Sequence, residues 1–426
     1  MSGTRDDLSA PPVQKTPPGR QRQVCLLSHL PYYHHAALAL DTAGLLERYL
    51  HDPTLLNALP GASLPGVGPF VERVNRSRIA PRLEGLPDRW LLVGRLGSAL
   101  VPVIERLVSP RHVPPERGAG LALQSLLWDR DARWQLGDPS VLHFVSGIGE
   151  HSARRVLARG GQVICDVRAP HALTHMATTV PWLAARGVRY RLPNEVNLPR
   201  LEREYRLADL IICNSGYTRR SFLEQGFGPD RVVSVPYGCD ASCFRPATAH
   251  PRSFTALFVG RERLRKGFLD LADAARSLRS SSSLLVTGAP DGISSQALSR
   301  LDARVEFLGP VAPDLMPAVY RRASVLVLPS LSEGFGLVVT EAMAAGLPVV
   351  VSDHTGAAEL VTDGKDGFVV PAGDVAAIAD RLGALEADPD RCAAMGAAAR
   401  HVAVANDWTE YGRQLTEVYD MLVLGR

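Results

Sequence analysis

A glycine-containing loop ahead of a helix carries the strongest chemical signal in the sequence. Residues 329–337 read Pro-Ser-Leu-Ser-Glu-Gly-Phe-Gly-Leu and follow an apolar run that is typical of a buried strand. Gly334 and Gly336 let the backbone approach a ligand closely, and the free N–H groups at the start of the next helix favour an anion. The segment therefore predicts a phosphate-binding loop.

Two glutamates accompany this predicted anion site. Glu333 lies in the loop and Glu341 stands eight positions later in the helix, so they reach different parts of a ligand. Carboxylates accept hydrogen bonds from hydroxyl groups, and a nucleotide sugar offers hydroxyls on both its sugar and its ribose. An alternative stays open, because Ser330 and Glu333 are three residues apart and can form a capping box, with Glu341 as an ordinary exposed residue.

Two cationic residues follow the first predicted strand of the second half of the chain. Arg261 and Lys266 lie in a strand-to-helix loop, where two positive charges can neutralise a diphosphate. The 47 basic residues include only three lysines, so a lysine at this position favours a functional role. A solvated basic loop ahead of a helix is the alternative.

Short apolar runs alternate with amphipathic segments, which is typical of parallel, doubly wound sheets. In the first half the predicted strands are 24–28, 141–145, 162–166, 210–214 and 232–235, with helices at 150–158 and 221–225. In the second half the predicted strands are 255–259, 283–287, 305–308, 325–329 and 348–352, with helices at 268–278, 294–301 and 338–345 and a helical region from 374. A turn-rich hinge at 236–251 separates the halves. Ligands of such sheets bind at the carboxyl ends of strands, so we expect a cleft between two α/β halves.

Composition excludes several classes of protein. With 426 residues, 46% of them apolar, the chain can fill two or three cores, and a net charge of +3 is too near balance for a nucleic-acid partner. The longest uncharged stretch, 169–185, contains two prolines and is not predicted to span a membrane. No secretory signal is present at the N-terminus, which predicts a cytoplasmic protein. Six scattered cysteines without a Cys-x-x-Cys pair predict buried thiols and no metal site.

Taken together, the motifs resemble those of the retaining GT-B glycosyltransferases of glycosyltransferase family 4. The matching features are Arg261 with Lys266, then Glu333-Gly-Phe-Gly with Glu341 in a Glu-x7-Glu spacing, and they are supported by 208–215, 235–238, 244–246, 346–350, Gly356 and Glu359. The likeness covers roughly 202–370 and is specific only as a set.

The resemblance implies a donor nucleotide diphosphate sugar, UDP- or GDP-linked, held mainly by the second half. Arg261 and Lys266 would bind the diphosphate and Glu341 the ribose, and Glu333 would orient the sugar. The donor loop would comprise Gly334, Phe335, Gly336 and Leu337. The family works without a metal or other cofactor and retains the anomeric configuration, and the leaving diphosphate is proposed to accept the proton of the acceptor.

The first half departs from the family pattern on the acceptor side. The loop after the first strand reads Ser-His-Leu-Pro-Tyr-Tyr-His-His at 28–35, where many members have paired glycines. His143, at the end of a strand, falls near a His-x-His element of relatives, and Arg168 and His171 follow the next strand. These three are candidates for the sugar or acceptor side, with a buried Asp166–Arg168 pair as the alternative. The segment 90–107 is expected to be a core helix, although some relatives use such a helix for weak association with a membrane surface.

These inferences predict four parts and one principal function. The parts are a disordered tail at 1–23, a Rossmann-like acceptor-side domain at 24–240, a Rossmann-like donor domain at 241–405 and a helix at 406–426 that packs back on the first domain. The predicted enzyme transfers a sugar to an acceptor hydroxyl on a saccharide, a lipid-linked molecule or a small molecule. A nucleotide-sugar epimerase and a non-catalytic nucleotide-sugar-binding protein are the alternatives.

Overall fold

The computed structural model describes residues 24–28, 33–51, 119–188, 190, 197–247, 251, 253–260, 264–288 and 305–424. Within these residues the chain forms two parallel β-sheets with helices packed against them. The predicted tail, the predicted helix at 294–301, the segment 90–107 and Arg261 lie outside the described residues.

The first sheet contains six parallel strands in the spatial order β2, β1, β3, β4, β5, β6. Its strands are β1 Val24–Ser28, β2 Leu46–His51, β3 Val141–Val145, β4 Gln162–Val167, β5 Leu210–Cys213 and β6 Val232–Ser234. Apolar runs suit this sheet because a parallel sheet is covered by helices on both faces. Every residue of β1, β3 and β5 is accordingly buried.

The second sheet also has six parallel strands, in the order β9, β8, β7, β10, β11, β12. Its strands are β7 Thr255–Val259, β8 Ser283–Thr287, β9 Val305–Gly309, β10 Val325–Leu328, β11 Val349–Ser352 and β12 Gly367–Val370. This is the Rossmann strand order, in which the direction of winding reverses between the first and fourth strands. Here those strands are β7 and β10.

Helices connect the strands and cover the sheets. In the first half they are α1 His34–Thr42, α2 Ala119–Gln135, α3 Glu150–Leu157, α4 Ala172–Ala185, α5 Leu198–Leu207 and α6 Gly216–Leu223. In the second half and at the end of the chain they are α7 Phe268–Ala274, α8 Met316–Tyr320, α9 Leu337–Ala344, α10 Val375–Ala387, α11 Pro389–Ala405 and α12 Trp408–Leu424. No helix in the described ranges is both long and apolar enough to cross a membrane.

The predicted fold class, α/β with two doubly wound parallel sheets, is confirmed. Most predicted strands agree with the structure to within one residue. The helix predicted at 221–225 is wrong in extent, because it begins at Gly216, where the Ser215 side chain accepts a hydrogen bond from the Thr218 N–H. The strands β2 and β12 and the helices α1, α2, α4, α5 and α8 were not predicted.

The chain crosses between the halves twice, and the two crossings lie side by side. Cys239 pairs with Asp407 in a short parallel bridge, and the Cys239 N–H donates to Asn406 O at 3.1 Å. From there α12 runs back along the first half, where Trp408 stacks on His35 with ring centroids 4.2 Å apart. The last helix is therefore part of the packing around α1.

Candidate functional site

The loops after β7 and β10 meet because these strands are neighbours in the second sheet. Val325 pairs with Ala256 and Leu326 with Leu257, so the segments that follow β7 and β10 leave the same edge of the sheet side by side. This edge holds the carboxyl ends of parallel strands at the point where the winding reverses, which is where open α/β sheets bind ligands. Lys266 ends the first loop, and Glu333 lies in the second.

Glu333 accepts from two cations of the neighbouring loop. Lys266 Nζ lies 2.9 Å from Glu333 Oε2, and a guanidinium nitrogen of Arg265 lies 3.2 Å from the same oxygen. Arg265 also donates to the Ser332 carbonyl. The three charged side chains are 13 to 16% exposed, so solvent screens them little.

The cations keep Glu333 ionised. Burial by itself raises the pKa of Glu333, but the charges of Lys266 and Arg265 and their hydrogen bonds outweigh it and lower the pKa to about 2. The described hydrogen bonds of this carboxylate all involve Oε2. In the described part of the chain Oε1 receives no donor and can accept a hydroxyl group of a ligand.

The loop after Glu333 presents backbone amides. The N–H groups of residues 334–337 donate to no acceptor within the described residues, although 334–336 are buried. Buried N–H groups without an acceptor are rare in native proteins, and a helix start favours negative charge. Gly336 allows this geometry because its φ is +91°, in the left-handed region that glycine tolerates. The amides therefore lie beside the cations of the neighbouring loop, an arrangement that suits an anion.

The glutamates do not cap the helix. Helix α9 begins after Gly336 without any side-chain cap, and Glu333 pairs with cations instead. The capping-box alternative is therefore wrong. Glu341, one turn inside the helix, is half-buried and accepts from the Tyr320 hydroxyl at 2.7 Å.

The apolar residues of the loop belong to the core. Phe335 is 2% exposed, and its ring lies 5.5 Å from that of Tyr237. Leu337 is partly buried against the same core. Both residues can offer a ligand their backbone amides, whereas the side chain of Phe335 is buried in the core.

The backbone of Arg168, in the first half, lies against Gly334 of this loop. A Cβ atom on Gly334 would lie 2.0 Å from the Arg168 carbonyl oxygen, so only glycine allows this approach. The same oxygen accepts from Asn214 Nδ2 at 2.9 Å. The backbone of Arg168 therefore lies beside Gly334, and a role of Arg168 on the sugar or acceptor side stays a prediction.

His171 is buried inside the first half. Its ring is 1% exposed, Nδ1 accepts from the Leu173 N–H at 3.4 Å, and Nε2 lies 2.8 Å from Glu202 Oε1. Burial lowers the pKa of His171, although Glu202 opposes the shift. Its described contacts make it the cap of α4, and a direct role toward a ligand stays a prediction.

His143 is also fully buried. Nδ1 lies 2.7 Å from the Tyr419 hydroxyl of α12, and Nε2 lies 3.4 Å from Asp166 Oδ2. The ring therefore links the last helix to the centre of the first sheet. Its predicted place near the sugar stays a prediction.

Sequence reasoning missed Arg265 and named Arg261, which lies outside the described residues. Arg265 stands directly before Lys266 in a run of three alternating arginines, and that run was the available signal. Spacing alone could not tell which of these side chains turns toward Glu333. Among the described residues no three His, Cys, Asp or Glu side chains group as metal ligands.

The second half of the chain matches a known protein family. The family described as Glycosyl transferases group 1 matches residues 244–402, which include both loops of the site. The family predicted from the motifs is thereby confirmed over this region.

Curated relatives are similar over about half of their length. A D-inositol 3-phosphate glycosyltransferase of Nocardia farcinica is 36% identical over 240 residues, covering 50% of this chain and 52% of the relative. A GDP-mannose-dependent alpha-(1-6)-phosphatidylinositol monomannoside mannosyltransferase of Mycolicibacterium smegmatis is 35% identical over 237 residues, covering 50% of this chain and 62% of the relative.

Solved structures resemble nearly the whole chain in fold. Sucrose-phosphate synthase from Thermosynechococcus elongatus aligns with a TM-score of 0.66 at 20% identity, covering 95% of this chain and 100% of that one. The Anabaena protein HepE, in complex with UDP and glucose, aligns with a TM-score of 0.63 at 18% identity, covering 94% and 100%. The two Rossmann-like halves therefore form the GT-B fold.

Proposed function

We propose that this protein transfers a glycosyl unit from a nucleotide diphosphate sugar to an acceptor hydroxyl. The observation that carries the proposal is the cluster of Lys266, Arg265 and Glu333 beside the open amides of residues 334–337. Cations and amides suit a diphosphate, and a carboxylate among them suits sugar hydroxyls. The family of residues 244–402 and the names of the relatives support this reading.

The site supplies electrostatic stabilisation of the leaving group. When the bond between the sugar and the diphosphate breaks, negative charge grows on the diphosphate. Preorganised cations and N–H groups stabilise such charge most effectively in a partly dry site. Lys266 and the amides of α9 take this role, and Arg261 is assigned to it by its spacing alone. We propose that these groups suffice without a metal ion.

Glu333 orients the sugar and does not donate a proton. Because its pKa is about 2, it is a carboxylate at neutral pH and has no proton to give. Oε2 holds Lys266 and Arg265 in place, and Oε1 accepts a sugar hydroxyl.

The transfer retains the anomeric configuration. The acceptor oxygen bonds to the anomeric carbon on the face that the diphosphate leaves, and the acceptor proton passes to a departing phosphate oxygen. Glu341, oriented by Tyr320, binds the ribose hydroxyls. One relative is named as GDP-mannose-dependent and one solved neighbour holds UDP, so we propose a UDP- or GDP-linked donor.

The first experiment is a thermal-shift panel with uridine, guanosine, adenosine and thymidine diphosphates. A ligand that binds only the native state raises the melting temperature, so we expect a selective shift with one of them. The matching sugar nucleotide should then release nucleoside diphosphate faster when an acceptor is added. Conversion of the donor sugar without an acceptor would indicate an epimerase, and binding without turnover would indicate a sensor.

A charge-removing variant tests the role of Glu333. Glu333→Gln keeps the shape of the side chain but releases both cations, so we expect turnover to fall about a hundredfold with a smaller loss of donor affinity. Glu417→Gln, on an exposed face of α12, is the control and should leave both quantities unchanged. An unaltered rate in Glu333→Gln would remove Glu333 from the mechanism.

A further inference from the structure

We propose that Ser215 and Thr218 of the first half are positioning residues that hold the donor loop of the second half. The inference deepens the proposed function, since the loop they hold carries Glu333 and the open amides. Neither hydroxyl is assigned a role by the motifs or by the proposed chemistry.

Both hydroxyls converge on one carbonyl across the interface. Ser215 Oγ donates to the Gly334 carbonyl oxygen at 2.5 Å, and Thr218 Oγ1 lies 3.2 Å from the same oxygen. Ser215 and Thr218 are fully buried, as the cap and the first turn of α6. Hydrogen bonds in such a dry environment are costly to break, because the carbonyl left behind has no water to replace them.

The carbonyls of residue 333 and of the first two residues of the donor loop are all anchored, and among the described contacts only the middle anchor comes from the other half. The Gly356 N–H donates to Glu333 O at 3.0 Å and the Ala357 N–H to Phe335 O at 2.8 Å, both within the second half. The Gly334 carbonyl between them is held by Ser215 and Thr218. The loop is therefore fully fixed only when the first half is docked on it.

Holding this carbonyl also sets the direction of an amide. The described chain contains no cis peptide bond, and the C=O and N–H of a trans peptide point in opposite directions. The bonds to the Gly334 carbonyl therefore orient the Phe335 N–H, one of the amides that donate to no acceptor in the described residues. Glu333, the residue before Gly334, is positioned by the same contact.

Other contacts fix this turn of α6 on the second half. The Gly216 N–H donates to Glu359 Oε2 at 2.7 Å, and the Tyr217 ring stacks on His354 with centroids 5.3 Å apart. These contacts hold the hydroxyls in register with the loop. The two hydroxyls are not equal, since Ser215 Oγ lies 2.5 Å from the Gly334 carbonyl oxygen and Thr218 Oγ1 lies 3.2 Å from it. Each hydroxyl also has a second acceptor, Thr218 Oγ1 for Ser215 and Asn214 Oδ1 for Thr218. Ser215 should therefore have the larger effect.

The test compares Ser215→Ala, Thr218→Val and their double variant with Ser221→Ala. Ser221 is a matched control, because its buried hydroxyl lies on the same helix and, within the described ranges, bonds only Thr218 O and the His171 N–H of the first half. Thr218→Ser keeps the hydroxyl and should behave like the wild type. Two quantities are measured: hydrogen exchange of the Gly356 and Ala357 amides without ligand, and the dissociation constants of UDP and GDP.

We expect the double variant to speed exchange at Gly356 and Ala357 about tenfold and to weaken nucleoside diphosphate binding about tenfold. Ser221→Ala should stay within about twofold of the wild type in both, at a similar melting temperature. Unchanged exchange in the double variant, or faster exchange with unchanged affinity, would overturn the proposal. The exchange readout needs no ligand, so a wild type that binds neither nucleotide would count against the proposed function alone.

Discussion

The two halves contain the same local architecture, a strand, a loop and the start of a helix, and use it in opposite ways. In the first half β3 leads through residues 146–149 into α3. Glu204 accepts from the N–H groups of Gly149 at 2.9 Å and Glu150 at 3.1 Å, and Asp129 accepts from those of His151 and Ser152. In the second half the corresponding amides before α9 have no such partner among the described residues.

The difference lies in the acceptors of the amides: carboxylates of the protein in the first junction, and no acceptor among the described residues in the second. Both junctions follow strands at which the winding of their sheet reverses, β3 beside β1 and β10 beside β7. In the first junction the buried carboxylates of Asp129 and Glu204 accept from the amides, and Arg200 pairs with both of them. In the second junction the carboxylate of Glu333 turns to the cations. We infer that the diphosphate belongs to the second half.

The largest expected effect is a loss of stability on removing the cation from the first junction, where β3 leads into α3. Arg200→Met leaves Asp129 and Glu204, both fully buried, without their cation, and losing one partner of a buried ion pair costs about 3 to 5 kcal/mol. Urea unfolding at pH 7.5 measures this loss. The control is Arg203→Met on the same helix, whose side chain is 49% exposed and which should cost about 1 kcal/mol or less. Equal stability of the two variants would show that the first junction does not depend on its internal charges.

The next largest effect is expected on ligand binding at the second junction, where β10 leads into α9. Lys266→Ala should weaken nucleoside diphosphate binding by about 1.5 to 3 kcal/mol, the usual contribution of a hydrogen bond to a charged group. Isothermal titration calorimetry at low and moderate salt gives the value. The exposed Lys365 provides the control variant, Lys365→Ala, which should bind as the wild type does. If both variants bind equally well, Lys266 does not contact the diphosphate.

A smaller effect concerns the pH dependence of stability. The pKa of Glu333 is lowered to about 2 in the folded protein, so its ionised form stabilises the fold above the unfolded pKa of 4.5 and this contribution is lost as the pH falls toward 2. The advantage of the wild type over Glu333→Gln should be constant from pH 7 to about 5 and shrink by about 1 kcal/mol at pH 3.5. Urea unfolding of both proteins at each pH checks this, and an advantage that grows on acidification would contradict the ion pairing.

Periodicity was sufficient to predict most of the fold. The runs at 256–259 and 325–328 are apolar at every position, and Gly260 and Pro329 mark their ends. Strand β2 reads Leu-Glu-Arg-Tyr-Leu-His and helix α4 contains Pro181, so neither shows the pattern of its element. Tertiary packing decides those segments, because local propensity differs by less than burial contributes.

The positions of the two loops could be predicted, because residue types such as glycine and lysine mark them. The directions of individual side chains could not be predicted. Glycines beside a helix start located the Glu333 loop, and the rarity of lysine located Lys266. His143 lies in a strand buried on both faces, so alternation could not reveal which way its ring points. Arg265 acts through a contact between two loops of the second half, and Ser215 acts through a contact that depends on how the two halves meet. Sequence spacing within one loop contains no information about that geometry.

Hydrogen exchange with and without saturating UDP or GDP tests the central claim most directly, because it reports on both junctions in one experiment. We expect bound nucleoside diphosphate to slow exchange in the peptides that cover residues 330–340 and to leave those that cover 146–152 unchanged. Protection at 146–152 with none at 330–340 would contradict the assignment of the diphosphate to the second half.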